Sequence, residues 1–116
     1  MDPTSRKKPR VLDWLGGKAC LALLEGPPTT CGIRSGRVEL GAGEQIGEHS
    51  TGDHEEVIVV VEGKGEVCVE GHRPLAIRAG QEVYVPPHSR HNVRNIDSPL
   101  LRYVYVVAPA CGLGAP

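Results

Sequence analysis

Residues 43–63, with the sequence GEQIGEHSTGDHEEVIVVVEG, combine a strand signal with a cluster of polar side chains. The apolar run 57–61 is typical of a strand that is covered on both faces. His49, His54 and two adjacent glutamates come just before it. Imidazoles and carboxylates this close together are the ligand types of a metal site. Residues 80–95, GQEVYVPPHSRHNVRN, carry similar groups and are expected to lie beside the first stretch.

The composition favours one small β-rich domain. The chain has 116 residues, of which 15 are glycine and 10 are proline, and it contains no phenylalanine. Frequent turn-forming residues suit many short strands better than a few long helices. The hydrophobic core must therefore be built mainly from valine, leucine and isoleucine.

Charge and cysteine usage exclude several classes of protein. Thirteen basic and fourteen acidic residues give a net charge of −1, which argues against nucleic-acid binding. The N-terminal sequence has no signal-peptide core, and no apolar run is long enough to span a membrane. From these two observations we expect a cytoplasmic location with reduced thiols. The four cysteines form no C-x-x-C pair, which argues against zinc-ribbon and thioredoxin-type motifs.

Alternation and turn residues predict eight or nine short strands, with little or no helix. They are drawn from segments 18–24, 29–33, 34–40, 45–50, 55–62, 66–70, 75–77, 82–85, 91–95 and 100–107. Gly63-Lys64-Gly65 is interpreted as a hairpin turn that pairs 55–62 with 66–70 in antiparallel fashion. The result is an all-β, antiparallel sandwich or barrel over residues 18–109. It is flanked by an N-terminal arm, 1–17, flexible or docked through Trp14, and by a tail, 110–116.

The direction of side chains along the predicted strands indicates which polar residues could form a metal site. Residues two apart in a strand share a face, so an inward Glu56 implies an inward Ile58. Three neighbouring strands could then bring His49, Glu56 and His91 together. Two imidazoles and one carboxylate with open positions suit Fe(II), Mn(II), Ni(II), Co(II) or Zn(II).

The two stretches resemble the paired motifs of the cupin family. The first motif is Gly, His-x-His, Glu and Gly at fixed spacings, and the second is Gly, Pro-x-Gly, His and Asn. The positions that correspond to the first are Gly43, His49, Thr51, Glu56 and Gly63. The positions that correspond to the second are Gly80, Pro86, His88, His91 and Asn95. The β-rich region that carries the resemblance runs from about residue 18 to residue 107.

The resemblance implies a double-stranded β-helix, or jelly-roll barrel, that is often dimeric and binds a metal through His49, Glu56 and His91. Two positions depart from the pattern, because Thr51 replaces the second histidine and His88 replaces a glycine. His54 has the strand parity of Glu56. It is therefore a fourth candidate ligand that either supplies the missing imidazole or faces solvent at the turn.

The sequence thus predicts a small metal-binding cupin of unspecified activity. Within the family such sites support dioxygenases, isomerases and lyases that act on small molecules. The alternatives are a non-catalytic module that binds or senses a small ligand, and a structural protein whose metal site has degenerated. The valine run needs cover on its second face, so we expect a homodimer or a covering N-terminal arm.

Overall fold

The computed structural model describes residues 7–110, which form nine β-strands and no α-helix. The strands are β1 (Cys20–Glu25), β2 (Arg34–Gly41), β3 (His49–Ser50), β4 (His54–Glu62), β5 (Lys64–Val69), β6 (Leu75–Arg78), β7 (Glu82–Val85), β8 (Arg90–Arg94) and β9 (Leu100–Pro109). All strand pairs are antiparallel. The predicted all-β antiparallel class is therefore confirmed. Within the described residues no helix is long and apolar enough to cross a membrane.

The strands form two sheets. The larger has the order β1-β2-β9-β4-β7, and the smaller has the order β3-β8-β5-β6. Alternation along β4 buries Ile58 and Val60 in the core and leaves Val59 and Val61 exposed on the outer face. The rest of the buried apolar core comes from both sheets and comprises Val38, Leu40, Val67, Val69, Ile77, Val85, Val93, Leu101 and Tyr103.

The predicted hairpin between residues 55–62 and 66–70 is wrong. β4 pairs with β7 and β9, whereas β5 pairs with β6 and β8, so the chain crosses from one sheet to the other between them. Gly63 makes this crossing possible, because it adopts φ of 82° and packs against the backbone of Leu100. A β-carbon at Gly63 would collide with the Leu100 carbonyl group, so glycine is required there.

Two other predicted strands are shorter or absent. Residues 29–33 form a turn, because the backbone N–H groups of Thr29 and Thr30 both donate to Gly26 O, and the Thr30 hydroxyl donates to Ile33 O. The predicted strand 45–50 is reduced to β3, a two-residue strand. Its ladder is interrupted at Gly47, whose N–H donates to a side-chain oxygen of Asn92 instead of to a backbone carbonyl.

A buried arginine holds part of the N-terminal segment against β2. The guanidinium of Arg37, fully buried, donates to the backbone oxygens of Trp14 at 2.8 Å and Lys18 at 3.1 Å, and also to that of Gly16. It also pairs with Glu39 at 3.1 Å. Residues 14–18 are therefore docked through their backbone. Residues 1–6 and 111–116 of the predicted arm and tail lie outside the described residues.

Asn95, a motif residue, fixes the end of β8. Its buried amide Nδ2 donates to Leu40 O at 2.8 Å and to Ser98 O at 2.9 Å, and its Oδ1 accepts from Ser98 N. Gly43 N in turn donates to Asn95 O at 2.8 Å. These bonds tie β8 to the loop after β2, so they set where the side chains of β8 enter the barrel.

Candidate metal centre

Three of the four predicted ligands meet between the two sheets. His49 on β3 lies directly opposite His91 on β8, and their ring centroids are 4.2 Å apart. Glu56 reaches them from β4 of the larger sheet. One potential ligand atom from each of the three residues lies within 4.8 Å of the others. Strand alternation sends each side chain inward, so this cluster follows from the pairing of the strands.

His91 and Glu56 form a buried pair. His91 Nε2 lies 2.9 Å from Glu56 Oε1, and His91 Nδ1 donates to Ser89 O at 3.1 Å. Burial lowers the pKa of His91, but the hydrogen bonds to Glu56 and Ser89 and the carboxylate charge raise it by more, so the pKa lies above 6.5. Both ring nitrogens face acceptors, which favours a proton on each in the metal-free protein. A metal ion would displace the Nε2 proton.

His49 is held in a comparable way but is exposed. Its Nδ1 donates to Gly47 O at 2.9 Å, which leaves Nε2 as the nitrogen available to a metal. Metal-binding histidines characteristically donate their other ring N–H to a carbonyl or carboxylate, which fixes the tautomer and the ring orientation. His91 meets the same condition through Ser89 O. Two oriented imidazoles and one carboxylate fit a divalent first-row metal, although they do not select one metal.

Thr51, which replaces the second histidine of the motif, has a structural role. It is buried, its hydroxyl donates to Pro86 O at 2.7 Å, and its Oγ1 accepts from Ser89 N at 3.0 Å. Both bonds hold the turn between β7 and β8, immediately before His91. The Thr51 hydroxyl is therefore committed to positioning that turn, and the cluster of three donors has no fourth from this position.

His54 lies apart from the three-residue cluster. It shares the inner face of β4 with Glu56, as parity predicts, but it is two residues closer to the start of the strand. Its Nε2 lies 3.4 Å from an Arg34 guanidinium nitrogen, which can only donate. His54 and Arg34 therefore form a polar contact of their own. Ligation by His54 therefore stays one of the two predicted alternatives.

The second departure from the motif carries backbone strain. His88 has φ of 55°, in the left-handed region that glycine adopts without cost. Its backbone N–H donates to Gly52 O at 2.9 Å, which holds it in this conformation. Its side chain points outward, with Nε2 3.7 Å from an Asp53 oxygen and both groups largely exposed.

A cavity of about 610 Å³ opens from the cluster towards β1. His49, Thr51, Glu56 and His91 lie in its wall. Its apolar lining includes Leu21, Leu24, Val38, Ile46, Val93 and Val107. A volume of this size admits a ring-containing small molecule.

Tyr103, Tyr105 and Arg34 also line the cavity, and sequence reasoning did not assign them to a site. The two tyrosines lie on β9, which pairs with β2 and β4, and Arg34 lies on β2. Their place beside the cluster therefore depends on the pairing of these strands. Leu101, Tyr103 and Tyr105 are two residues apart along β9, and this alternation indicates that the tyrosine side chains point inward. It does not show whether an inward tyrosine packs in the core or contacts a ligand.

Comparison with known proteins agrees with this fold. The Cupin domain family matches residues 36–107. An RmlC-like cupin family protein with a double-stranded β-helix fold from Methanocaldococcus jannaschii superposes with a TM-score of 0.75. The superposition covers 87% of this chain and 91% of that one at 22% identity, so it shows a shared fold.

Two curated proteins from Streptomyces are similar in sequence. One is named polyketide synthase CurC, from Streptomyces cyaneus, and is 36% identical over 85 residues, which are 71% of this chain and 54% of that protein. The other is protein SchB, from Streptomyces halstedii, 34% identical over 85 residues, 71% of this chain and 61% of that protein. The chain thus matches only about half to three fifths of these relatives. The family match covers most of the described barrel, and this chain belongs to the cupin family.

Proposed function

We propose that this protein is a cupin enzyme that depends on a divalent first-row metal and acts on a small, oxygen-bearing molecule. One observation carries the proposal. His49, Glu56 and His91 bring their ligand atoms within 4.8 Å of one another in the wall of a cavity of about 610 Å³. The ligand cluster and the substrate space are therefore contiguous, as a metal-dependent reaction on a bound molecule requires.

Residues of this chain would both bind the metal and orient its ligands. His49, Glu56 and His91 hold the metal, while the backbone oxygens of Gly47 and Ser89 orient the two imidazoles. When bound, Fe, Mn, Ni, Co or Zn would act as a Lewis acid that polarises a carbonyl or hydroxyl oxygen of the substrate. Three protein ligands leave coordination positions open for that oxygen.

For the substrate we propose a polyketide-derived compound. The name of the Streptomyces cyaneus relative supports this class, although the match covers only 54% of that protein. The cavity supports it independently, because its wall combines many apolar side chains with the candidate metal ligands. Polyketide-derived rings combine a large apolar surface with carbonyl and hydroxyl oxygens, which suits such a cavity.

The test combines metal content with turnover. The purified protein is analysed by plasma mass spectrometry, before and after reconstitution with each of the five metals. We expect about one equivalent per chain. Each loaded form is then incubated aerobically and anaerobically with hydroxyaryl ketones and enolised diketones, and the products are identified by mass spectrometry. Failure to bind any of the five metals, or metal binding without conversion of any compound, would contradict the proposed enzyme.

The hydrogen bonds of Thr51 favour a second candidate, a binding protein without turnover. Its hydroxyl is committed to Pro86 O and Ser89 N, so the site has one donor fewer than the family motif provides. A weakly held metal would then serve only to bind the ligand. Saturable ligand binding without chemical change, at full metal occupancy, would establish this candidate in place of the enzyme.

A further inference from the structure

Two tyrosines lie on the cavity wall beside the candidate metal ligands. Tyr105 pairs with Ile58 and Tyr103 pairs with Val60, so they are two and four residues further along β4 than Glu56 on the inner face. Both line the same cavity as Glu56 and His91. The polar side chains thus continue from the ligand cluster down the inner face of the larger sheet.

The position of Tyr105 depends on Gly36. The two residues are paired across β2 and β9, and a β-carbon built on Gly36 would lie 2.6 Å from Tyr105 Cζ and 2.7 Å from Cε2. The ring therefore lies against bare backbone and occupies space that any side chain at position 36 would take. Gly36 does not have a left-handed φ, so its role is to make room for the ring.

The hydroxyl groups of Tyr103 and Tyr105 have no hydrogen-bond partner among the residues that the structure describes. Among residues 7–110, neither hydroxyl makes a hydrogen bond to protein, whereas Tyr84, on the outer face, donates to Glu55 Oε1 at 2.8 Å. Burial, followed by the charge of Glu56, raises the pKa of both Tyr103 and Tyr105, so both stay protonated at neutral pH. Tyr103 is buried and Tyr105 is half-buried, and both line the cavity, so an acceptor for either hydroxyl would have to lie in the cavity.

We infer that Tyr105 and Tyr103 donate hydrogen bonds to an oxygen of the ligand and thereby select hydroxyaryl ketones or related enols that also reach the metal. This inference rests on the proposed function for the identity of the site, but it concerns a separate set of contacts. A second oxygen that accepts these hydrogen bonds is required in addition to the oxygen that meets the metal. The apolar walls then contact the remainder of the ring system.

Binding of 1-hydroxy-2-acetonaphthone tests the inference, with 1-naphthol as the comparison compound that lacks the carbonyl oxygen. Calorimetric titrations use wild type, Tyr103→Phe and Tyr105→Phe, in both metal-loaded and metal-free forms. Phenylalanine keeps the ring and removes only the hydroxyl. Tyr84→Phe is the matched control, because it removes the hydroxyl of the tyrosine on the outer face.

We expect the dissociation constant of the ketone to rise about tenfold in Tyr105→Phe or Tyr103→Phe, and to change less than about twofold in Tyr84→Phe. Affinity for 1-naphthol should change less, and metal content should be unchanged in all variants. Equal ketone affinity in wild type and both cavity variants overturns the inference, as does absence of ketone binding by wild type.

The experiments distinguish failure of the proposed metal-dependent enzyme from failure of the proposed tyrosine contacts. If wild type binds no metal, the proposed enzyme fails, and the metal-free titrations then decide the tyrosine contacts by the same criteria. If metal binds normally and the cavity variants match wild type, the tyrosine inference fails and the metal site stands. Gly36→Ala provides a further check, since displacement of the Tyr105 ring should weaken ketone binding without lowering metal content.

Discussion

Glu56 and His91 belong to different sheets, yet Glu56 Oε1 and His91 Nε2 are 2.9 Å apart. This hydrogen bond links the two sheets of the barrel at the candidate metal centre. Both side chains are buried, so neither can exchange this partner for bulk water without cost. A metal ion at this point would replace a shared proton with a shared cation.

His91→Ala should remove metal binding, whereas Glu55→Ala should not. His91 offers one of three clustered donors, while Glu55 points to the outer face and accepts from Tyr84. Since the loss of a group that merely orients a ligand costs 10- to 100-fold in affinity, we expect loss of a ligand to cost at least about 100-fold. Metal competition with a coloured chelator measures this.

The same measurement examines His54. Its Nε2 lies against the Arg34 guanidinium, so His54→Ala is expected to retain the wild-type affinity. Equal affinities of wild type and His91→Ala would contradict the assignment of the centre. A loss in His54→Ala as large as that in His91→Ala would make His54 a ligand.

The metal-free protein should lose stability as the pH rises. Hydrogen bonds to Glu56 and Ser89 raise the pKa of His91 in the folded state above its unfolded value of 6.5. The stabilisation is therefore fully present below about pH 6.5 and is lost as the pH passes through the folded pKa. Urea denaturation in the presence of a chelator, from about pH 6 to about pH 8, measures this change.

Glu56→Gln is the control for this pH dependence, because it removes the carboxylate charge and keeps the side-chain shape. The decline in unfolding free energy should be smaller in that variant. If wild type and Glu56→Gln lose the same free energy over this range, the buried pair does not cause the pH dependence.

The sequence predicted the cluster well because its geometry depends mainly on alternation and on motif spacing. His49, Glu56 and His91 are placed by period-two alternation along three strands. The pairing of β4 was not predictable in the same way. The Gly63-Lys64-Gly65 segment has the composition of a hairpin turn, but packing of Gly63 against Leu100, far along the chain, sends β5 to the other sheet.

The contacts of His54 and Tyr105 could not be predicted from the sequence either. Parity gave the correct face for His54, but its neighbour Arg34 comes from β2, 20 residues away. The position of the Tyr105 ring depends on the space left by Gly36, on a strand that lies much earlier in the chain. Such contacts depend on long-range register, which local patterns do not contain.

Thr51→Val should destabilise the turn that carries His91. The substitution keeps the shape of the side chain but removes the hydroxyl that bonds to Pro86 O and Ser89 N. The Pro86 carbonyl and the Ser89 N–H then lose their hydrogen-bond partner in a partly buried environment. We therefore expect a loss of about 1–3 kcal/mol in unfolding free energy. Urea denaturation measures the loss, and Thr51→Ser, which keeps the hydroxyl, should lose clearly less. Equal stability of Thr51→Val and wild type would mean that the hydroxyl does not hold the turn.

His88→Gly should stabilise the protein. His88 occupies a left-handed conformation with φ of 55°, and its exposed side chain makes only a long contact with Asp53. Relief of the strain outweighs the extra entropy of glycine in the unfolded chain, so we expect a gain of about 0.5–1 kcal/mol. Thermal denaturation is the measurement, and His72→Gly, at another exposed turn, should give no gain. A His88→Gly variant no more stable than wild type would show that position 88 is unstrained.

The outer face of the larger sheet should form a homodimer interface. Val59, Val61 and Val106 are exposed there on neighbouring strands, and Tyr84 lies beside them. A contiguous apolar patch of this kind on a sheet is expected to be covered, and the same patch on a second copy would provide matching cover. Light scattering should give about twice the chain mass of 12.4 kDa. Val59→Lys should reduce this to the monomer mass, whereas Leu75→Lys, at a similarly exposed position on β6, should leave the dimer intact. A monomeric wild type, or a dimer that survives Val59→Lys but not Leu75→Lys, would exclude this face as the interface.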